Sequence, residues 1–335
     1  MNDWGILGHT WAVRLLQNHI QAGRTRHAYL FTGPRGVGRR TLALRVAQAL
    51  NCVAPPAPGA FCGQCRPCTR LAQMQHPDLF VVQSAAPGNT LKVEQVRNLQ
   101  QRLALAPYEA RYKIALLLRF EEAHPSAANA LLKTLEEPPE NVVLLLTASD
   151  PESLLPTIVS RCEVVRLRPL PLHEVSEGLR THWGLPSEEA RLLAHLSAGR
   201  PGYALQLHRD ATLMQERRKH IETLLDLLPA RRVERFSAAE KLSKDRAALP
   251  SVLQTWLTFW RDLMLRASGA RIPIGNLDYE AQIAHLGEQL TFEEAGQCTA
   301  ALQRTLTRLQ KNVNYRLALE VFLLDMPRLQ PLPRA

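Results

Sequence analysis

Four cysteines crowd into one short stretch of the chain and offer the ligands of a metal ion. Cys52, Cys62, Cys65 and Cys68 follow the spacing C-x9-C-x2-C-x2-C. Zinc prefers four soft ligands in a tetrahedron, and C-x-x-C steps let a backbone fold around one ion. Because the thiolates need neither water nor histidine to complete the set, we expect a closed, structural zinc site. His76 is the local rival ligand, and we expect it to end a helix instead.

A glycine-rich segment has the form of a phosphate-binding loop. It reads GPRGVGRRT, and the residues that could contact a nucleotide are Gly33, Gly36, Gly38, Arg39 and Thr41. Such a loop curls backbone N–H groups around phosphate at a helix start, and normally continues with Lys and then Ser or Thr. Here Arg39 and Arg40 hold those two positions, and a guanidinium has no lone pair for a cation. We therefore expect a degenerate loop, with ATP and magnesium not bound productively, unless Thr41 substitutes.

The elements around these residues alternate between strand and helix patterns. Apolar runs predict strands at 28–33, 78–83, 112–118, 141–149 and 162–167, and helical patterns cover 41–50, 93–105 and 125–137. Strands that are continuous apolar runs between helices indicate a parallel sheet covered on both faces. The fold class is therefore α/β in this first part.

The character of the chain changes after residue 168. The predicted divisions are 1–168, with a metal module at about 51–70, then 169–208 with short helices, and 209–335, which is helical throughout. Trp256, Phe259 and Trp260 share one helical face, which favours a helix-bundle core over a base-stacking platform.

Composition excludes several classes of protein. Of the 335 residues, 46% are hydrophobic and 21% charged, which is typical of globular domains and not of disordered or collagen-like chains. The sequence shows neither a membrane-spanning run nor a secretory signal, so we expect a cytoplasmic protein without disulfides. The net charge of +10 favours an acidic partner such as nucleic acid, with solubility as the plainer explanation.

Several motifs occur together in an order that resembles one family. HAYLFTGPRGVGRRTLA, the cysteine cluster followed by HPDL, NALLKTLEEPP, LLPTIVSRC and NVNYRLALEVFLL are similar to segments of bacterial DNA polymerase III clamp-loader subunits, and the whole chain resembles their delta-prime branch. The resemblance implies an AAA+ P-loop domain with a zinc insert, a small helical lid and an all-α C-terminal collar that forms a ring with partner subunits.

The resemblance also indicates which residues ATP hydrolysis would need. Active gamma/tau relatives carry an acidic pair where this chain has Leu118 and Arg119, and a lid arginine where it has Gly202. Arg40 is a third departure, in the phosphate loop. Three losses in one chain predict a subunit that does not hydrolyse ATP.

One catalytic motif of the family is intact. In SRC, at 160–162, the family's arginine reaches the ATP site of a neighbouring subunit, so Arg161 is expected to act in trans as an arginine finger. Cys162 is expected to be a small buried residue and not a nucleophile.

The resemblance implies a non-hydrolysing stator that joins gamma/tau and delta subunits, and through the complex meets the beta sliding clamp and primer–template DNA. Two alternatives stay open from the sequence. One is an active, divergent ATPase of the gamma/tau type that uses Thr41 with Glu121 or Glu122. The other is a zinc-bearing DNA-binding module with a decayed phosphate loop.

Overall fold

A computed structural model describes residues 4–85, 89–310 and 313–333. Within these residues five strands form one sheet: β1 (Ala28–Thr32), β2 (Leu79–Val82), β3 (Lys113–Leu117), β4 (Val142–Ala148) and β5 (Glu163–Arg166). All pairings are parallel, and the order across the sheet is β2-β3-β4-β1-β5. The predicted strands and the α/β fold class are confirmed.

One helix of the first part precedes β1, and the others lie between strands along the chain. These helices are α1 (Thr10–Gln21), α2 (Arg39–Asn51), α3 (Arg66–Ala72), α4 (Val93–Leu103), α5 (Pro125–Glu136) and α6 (Pro156–Val159). Helix α5 starts with proline at its first position, where the missing N–H costs nothing, and its last turn precedes Pro138 and Pro139. The chain after α5 therefore turns into β4 at a defined point.

Both faces of the sheet are buried, as the apolar runs predict. Tyr29 and Phe31 of β1 pack in one cluster with α1 and α2, whereas Leu30 packs in another with α4, α5 and α6. Leu30 also lies in register between Leu146 of β4 and Val164 of β5. Successive side chains of a strand point to opposite faces, so an all-apolar strand is stable only between two helical layers.

The remainder of the described chain is helical. Its helices are α7 (Leu172–Trp183), α8 (Ser187–Leu196), α9 (Pro201–Arg209), α10 (Ala211–Leu227), α11 (Arg232–Lys244), α12 (Leu249–Ala267), α13 (Glu280–Gly287), α14 (Phe292–Gln310) and α15 (Tyr315–Asp325). Trp256, Phe259 and Trp260 of α12 are completely buried in one cluster with α10, α14 and α15. Their predicted role in a helix-bundle core is confirmed.

The chain forms two compact units. One comprises Met1–Ala190 with Gly199–Tyr203, and the other Arg191–Ala198 with Ala204–Ala335. The three-part division at 168 and 208 stays a prediction. In the described ranges, no helix is both long enough and apolar enough to span a membrane.

Candidate functional site

The four clustered cysteines meet at the junction of α2 and α3. Cys52 directly follows α2, Cys65 precedes α3, Cys68 lies within α3, and Cys62 sits on the loop between them. All four Sγ atoms lie within 4.8 Å of one another, and Cys52 Sγ is 3.6 Å from Cys62 Sγ. A tetrahedral ion with metal–sulfur bonds of about 2.3 Å has sulfur–sulfur edges of about 3.8 Å. The cluster fits one metal ion.

Backbone groups favour the thiolate form at one of these sulfurs. The N–H groups of Cys65 and Gln64 lower the pKa of the Cys62 thiol to about 6. Burial acts in the opposite direction on Cys68 and raises its pKa. A bound cation would stabilise all four as thiolates, since a thiol must lose its proton to coordinate.

The loop that carries Cys62 is anchored to the rest of its unit. The Trp4 indole N–H donates to the Gly59 carbonyl over 3.1 Å, and the Phe61 ring packs 6.3 Å from Trp4, centroid to centroid. Gln48 donates to the Cys68 carbonyl over 2.8 Å. Gly59 has φ +76°, and a Cβ there would lie 2.9 Å from the Gln17 carbonyl oxygen. The metal module is therefore docked against α1 and α2.

His76 lies outside the cysteine cluster. It is buried, its Nδ1 accepts from the Asp78 N–H over 3.1 Å, and its Nε2 faces the Glu109 carboxylate at 3.5 Å. The group of close ligand atoms found in the described chain consists of the four cysteines. His76 is thus part of the turn before β2.

The phosphate-binding loop has the curled backbone that its glycines permit. Gly33, Gly36 and Gly38 have φ of +136°, +86° and +114°, a region that suits glycine. Arg39 begins α2 and is only 9% exposed, whereas Arg40 and Thr41 are exposed. The Nη1 atom of Arg39 has no hydrogen-bond partner within the described residues. The loop shape is present, with guanidinium groups where a lysine and a hydroxyl would serve a nucleotide.

A segment far along the chain packs against this loop. The Gly202 N–H donates to the Gly36 carbonyl over 2.8 Å, and Arg200 Nη1 donates to the Arg35 carbonyl over 3.4 Å. A Cβ on Gly202 would lie 2.9 Å from the Gly36 oxygen, and one on Gly36 would lie 2.6 Å from the Tyr203 Cβ. The close approach explains glycine at 202, where active relatives are expected to place arginine. No pattern in the sequence predicts this contact, because the two segments lie about 165 residues apart along the chain.

The position expected for an acidic pair holds a different network. Leu118 is buried, and Arg119 has φ +52°. Arg119 Nε donates to Glu122 Oε2 over 3.0 Å, and its Nη2 donates to Ser84 Oγ over 3.0 Å. The Ser84 hydroxyl also donates to Glu122. The Glu122 carboxylate therefore neutralises Arg119 here.

Glu121 points to a neighbouring strand end. Its Oε1 accepts from the Ser149 N–H, just after β4, over 3.1 Å. Arg39 lies within electrostatic reach, since the Glu121 carboxylate opposes the lowering of the Arg39 pKa that burial causes. Glu121 and Glu122 are thus directed to different partners and do not form a matched pair.

Arg161 stands at the surface just after α6. Its Nη1 donates to the Thr157 carbonyl over 2.9 Å, and its Nη2 lies 2.8 Å from Glu136 Oε1 at the end of α5. The Arg161 side chain is 35% exposed. Burial raises the pKa of the adjacent Cys162 to about 12, so that sulfur stays a thiol at neutral pH. No motif in the sequence predicts the contact between Arg161 and Glu136.

Comparison with known proteins identifies two matching families. The family described as DNA polymerase III, delta subunit, matches residues 8–171, and that described as DNA polymerase III, delta subunit, C terminal, matches residues 211–327. The two matches together extend over both compact units.

Three relatives show how far the likeness extends. The DNA polymerase III subunit delta' of Pseudomonas aeruginosa is 36% identical, over 78% of this chain and 79% of its own. The subunit delta' of Bacillus subtilis is 29% identical, over 90% of this chain and 91% of its own. The subunit tau of Escherichia coli is 35% identical, but over 60% of this chain and only 32% of its own. The chain therefore belongs to the DNA polymerase III delta-prime subunit family.

Proposed function

We propose that this chain is the delta-prime subunit of a bacterial DNA polymerase III clamp loader, and that it acts in the cytoplasm during DNA replication. In that complex it would join gamma/tau and delta subunits in a ring. The ring would open the beta sliding clamp and place it on primer–template DNA. The matches to delta-prime subunits cover 78% and 90% of the chain, whereas the match to tau covers 60% of the chain and 32% of tau, and this difference supports the role.

Arg161 carries the mechanistic part of the proposal. Its guanidinium lies at the surface, held by the Thr157 carbonyl and the Glu136 carboxylate. An arginine presented to a neighbour can stabilise the charge that builds on a transferred phosphoryl group. The chain would therefore complete the ATP site of an adjacent gamma/tau subunit without using a site of its own.

The absence of turnover by this chain is a second part of the proposal. Arg40 offers no lone pair to a magnesium ion, and Leu118 and Arg119 offer no carboxylate to orient water. Of the two nearby acidic candidates, Glu122 is paired with Arg119 and Ser84. The other, Glu121, accepts a hydrogen bond from the Ser149 N–H. These contacts argue against the alternative of a divergent ATPase, and favour a rigid stator.

The experiment is a comparison of reconstituted clamp loaders that differ only at Arg161. Arg161→Ala should leave assembly intact and lower DNA-stimulated ATP turnover. An arginine finger contributes about 10³-fold or more at a single site, but other sites in the ring keep their own fingers, so the total loss could be only a few-fold. Clamp loading should fall further than bulk turnover if the sites act together.

A matched control is available in the same unit. Arg180 is an exposed arginine that pairs with Glu177 at 3.2 Å. Arg180→Ala should leave both activities at the wild-type value. If Arg161→Ala complexes hydrolyse ATP and load clamps as fast as the wild type, Arg161 is an ordinary surface residue.

We propose further that the ion held by the four cysteines is zinc, in a structural role. Four thiolates without a water position suit zinc and leave no site for catalysis. Elemental analysis should find one zinc per chain in the wild type and much less in Cys65→Ser. The control is Cys162→Ser, which should keep its zinc. Full zinc retention by Cys65→Ser would refute the ligand assignment.

A further inference from the structure

The carboxylate that meets Arg161 belongs to the last residue of a helix. Glu136 ends α5, and its Oε1 lies 2.8 Å from Arg161 Nη2. The other contact of the guanidinium is the Thr157 carbonyl in α6, at 2.9 Å from Nη1. Two different helices thus supply the partners of the two terminal nitrogens of Arg161.

Helix stability does not explain a glutamate at this position. The C-terminal end of a helix carries partial negative charge, which disfavours a carboxylate and favours a cation. Lys133 in the last turn of α5 meets that preference, whereas Glu136 opposes it. The nearby positive charge of Arg161 compensates for the unfavourable position.

We infer that Glu136 is a positioning residue for Arg161. Together with the Thr157 carbonyl, it fixes the plane of the guanidinium before Arg161 contacts the ATP site of a neighbouring subunit. This inference rests on the proposed role of Arg161 in trans. A guanidinium carries five N–H donors, so donors remain for the oxygens of a phosphoryl group.

The two contacts pre-organise the Arg161 side chain for its role in the transition state. A long arginine side chain loses rotamer freedom when it is fixed, and this loss raises the barrier if it occurs only in the transition state. Two contacts made beforehand reduce that loss. Since both side chains are partly exposed, at 35% and 51%, the contribution of the ion pair is small. We expect a two- to fivefold fall in kcat, roughly, when the carboxylate is removed.

The test uses the reconstituted complex and four forms of this chain besides the wild type. They are Glu136→Gln, Glu137→Gln, Arg161→Ala and the double variant Glu136→Gln/Arg161→Ala. Glu137 is the matched control, because it is the exposed neighbour of Glu136 and has no ion pair within the described part of the chain. Assembly and thermal stability are measured for every form, followed by kcat and KM for ATP.

We expect Glu136→Gln to lower kcat without raising KM, and Glu137→Gln to match the wild type. A finger acts on charge that develops in the transition state, so kcat and not KM should change. In the Arg161→Ala background, Glu136→Gln should have no further effect. A purely structural role for Glu136 would instead weaken assembly or raise KM.

The outcomes separate this inference from the proposed function. If Arg161→Ala lowers turnover but Glu136→Gln does not, the positioning role is wrong and the finger role stands. If Glu136→Gln still lowers turnover in the absence of Arg161, the carboxylate acts by another route and the inference is also overturned. If Arg161→Ala has no effect, both fail. Should Glu136→Gln assemble poorly, Glu136→Ala provides the second comparison by the same criteria.

Discussion

At the scale of single residues, buried charges in this chain are held largely by backbone groups. Asp78 is 2% exposed and accepts hydrogen bonds from the N–H groups of Tyr108, Glu109 and Ala110 over 2.7 to 2.9 Å. Burial alone would raise the pKa of this carboxyl, but the three donors outweigh it and hold the pKa below its ordinary value. One side chain thereby fixes the loop that leads into β3.

We predict that Asp78→Asn lowers the free energy of unfolding by about 1–3 kcal/mol at pH 7, because an amide cannot satisfy three buried donors. A depressed pKa in the folded state contributes stability above the unfolded value of about 3.9 and loses it as the pH falls. The difference between wild type and variant should therefore shrink in acid. Urea denaturation of both proteins at pH 7 and near pH 3 measures this difference in the free energy of unfolding.

Asp150→Asn is the control for this residue. Asp150 accepts a single N–H, that of Glu152, over 2.9 Å at an exposed turn. We expect Asp150→Asn to lower the free energy of unfolding much less than Asp78→Asn does. An Asp78→Asn protein as stable as the wild type at pH 7 would show that the three bonds do not contribute.

At the scale of elements, the metal module and the sheet depend on different interactions. The sheet is buried between two apolar clusters, whereas the loop that carries Cys62 relies on the cysteines and on contacts such as Trp4 to Gly59. Metal binding contributes directly to folding where a segment has little core of its own.

We predict that a strong chelator loosens residues 52–68 and leaves β1 to β5 intact. Hydrogen exchange should show loss of protection in the module, with the strand amides still protected. Adding zinc back should restore the protection, which serves as the control for damage by the chelator. Cooperative unfolding of the whole sheet on chelation would contradict this prediction.

The phosphate loop is a second element that can be tested, by restoring a hydroxyl residue that the loop lacks. We predict that Arg40→Thr, which returns a hydroxyl to the loop, leaves the isolated chain without ATP turnover. The reason is that Leu118 and Arg119 still supply no carboxylate, and Glu122 is paired with Arg119. A phosphate-release assay with a no-protein blank is the measurement. Magnesium-dependent turnover that follows the purified chain, in either form, would favour the divergent ATPase.

At the scale of the whole molecule, the net charge of +10 bears on DNA. We predict that the isolated chain binds primed DNA weakly, and that raising salt from about 50 to 200 mM lowers the affinity roughly tenfold or more. Only non-specific phosphate contacts are expected before the ring assembles. Fluorescence anisotropy across the salt series measures the affinity for DNA. In the control, a neutral polymer at the same concentration replaces the DNA. Tight, salt-resistant binding would favour the alternative of a DNA-binding module.

Much of the architecture could be predicted because its signals are local. The apolar run around Leu30 is recognisable as a doubly buried strand without knowing its neighbours. The spacing of Cys62, Cys65 and Cys68 brings their sulfurs close by short backbone turns. The face shared by Trp256 and Phe259 follows from helical periodicity. Each pattern depends on residues a few positions apart.

Other features depended on which elements become neighbours. Glu136 and Arg161 meet because α5 and α6 end side by side, and no periodicity in either helix predicts that contact. A carboxylate such as that of Glu122 can bind a cation, but in the fold it pairs with Arg119 and with Ser84, which follows a different strand.

Local patterns in the sequence were enough to predict the strand and helix positions, the glycine-rich loop, the grouping of the four cysteines and the family. The partners of the charged groups and the close approach of Gly202 to Gly36 became evident in the folded chain. The cause is the distance along the chain over which each interaction acts. Backbone propensity and apolar periodicity act over a few residues, whereas an ion pair or a close backbone contact depends on how distant segments are placed by the packing of the whole core.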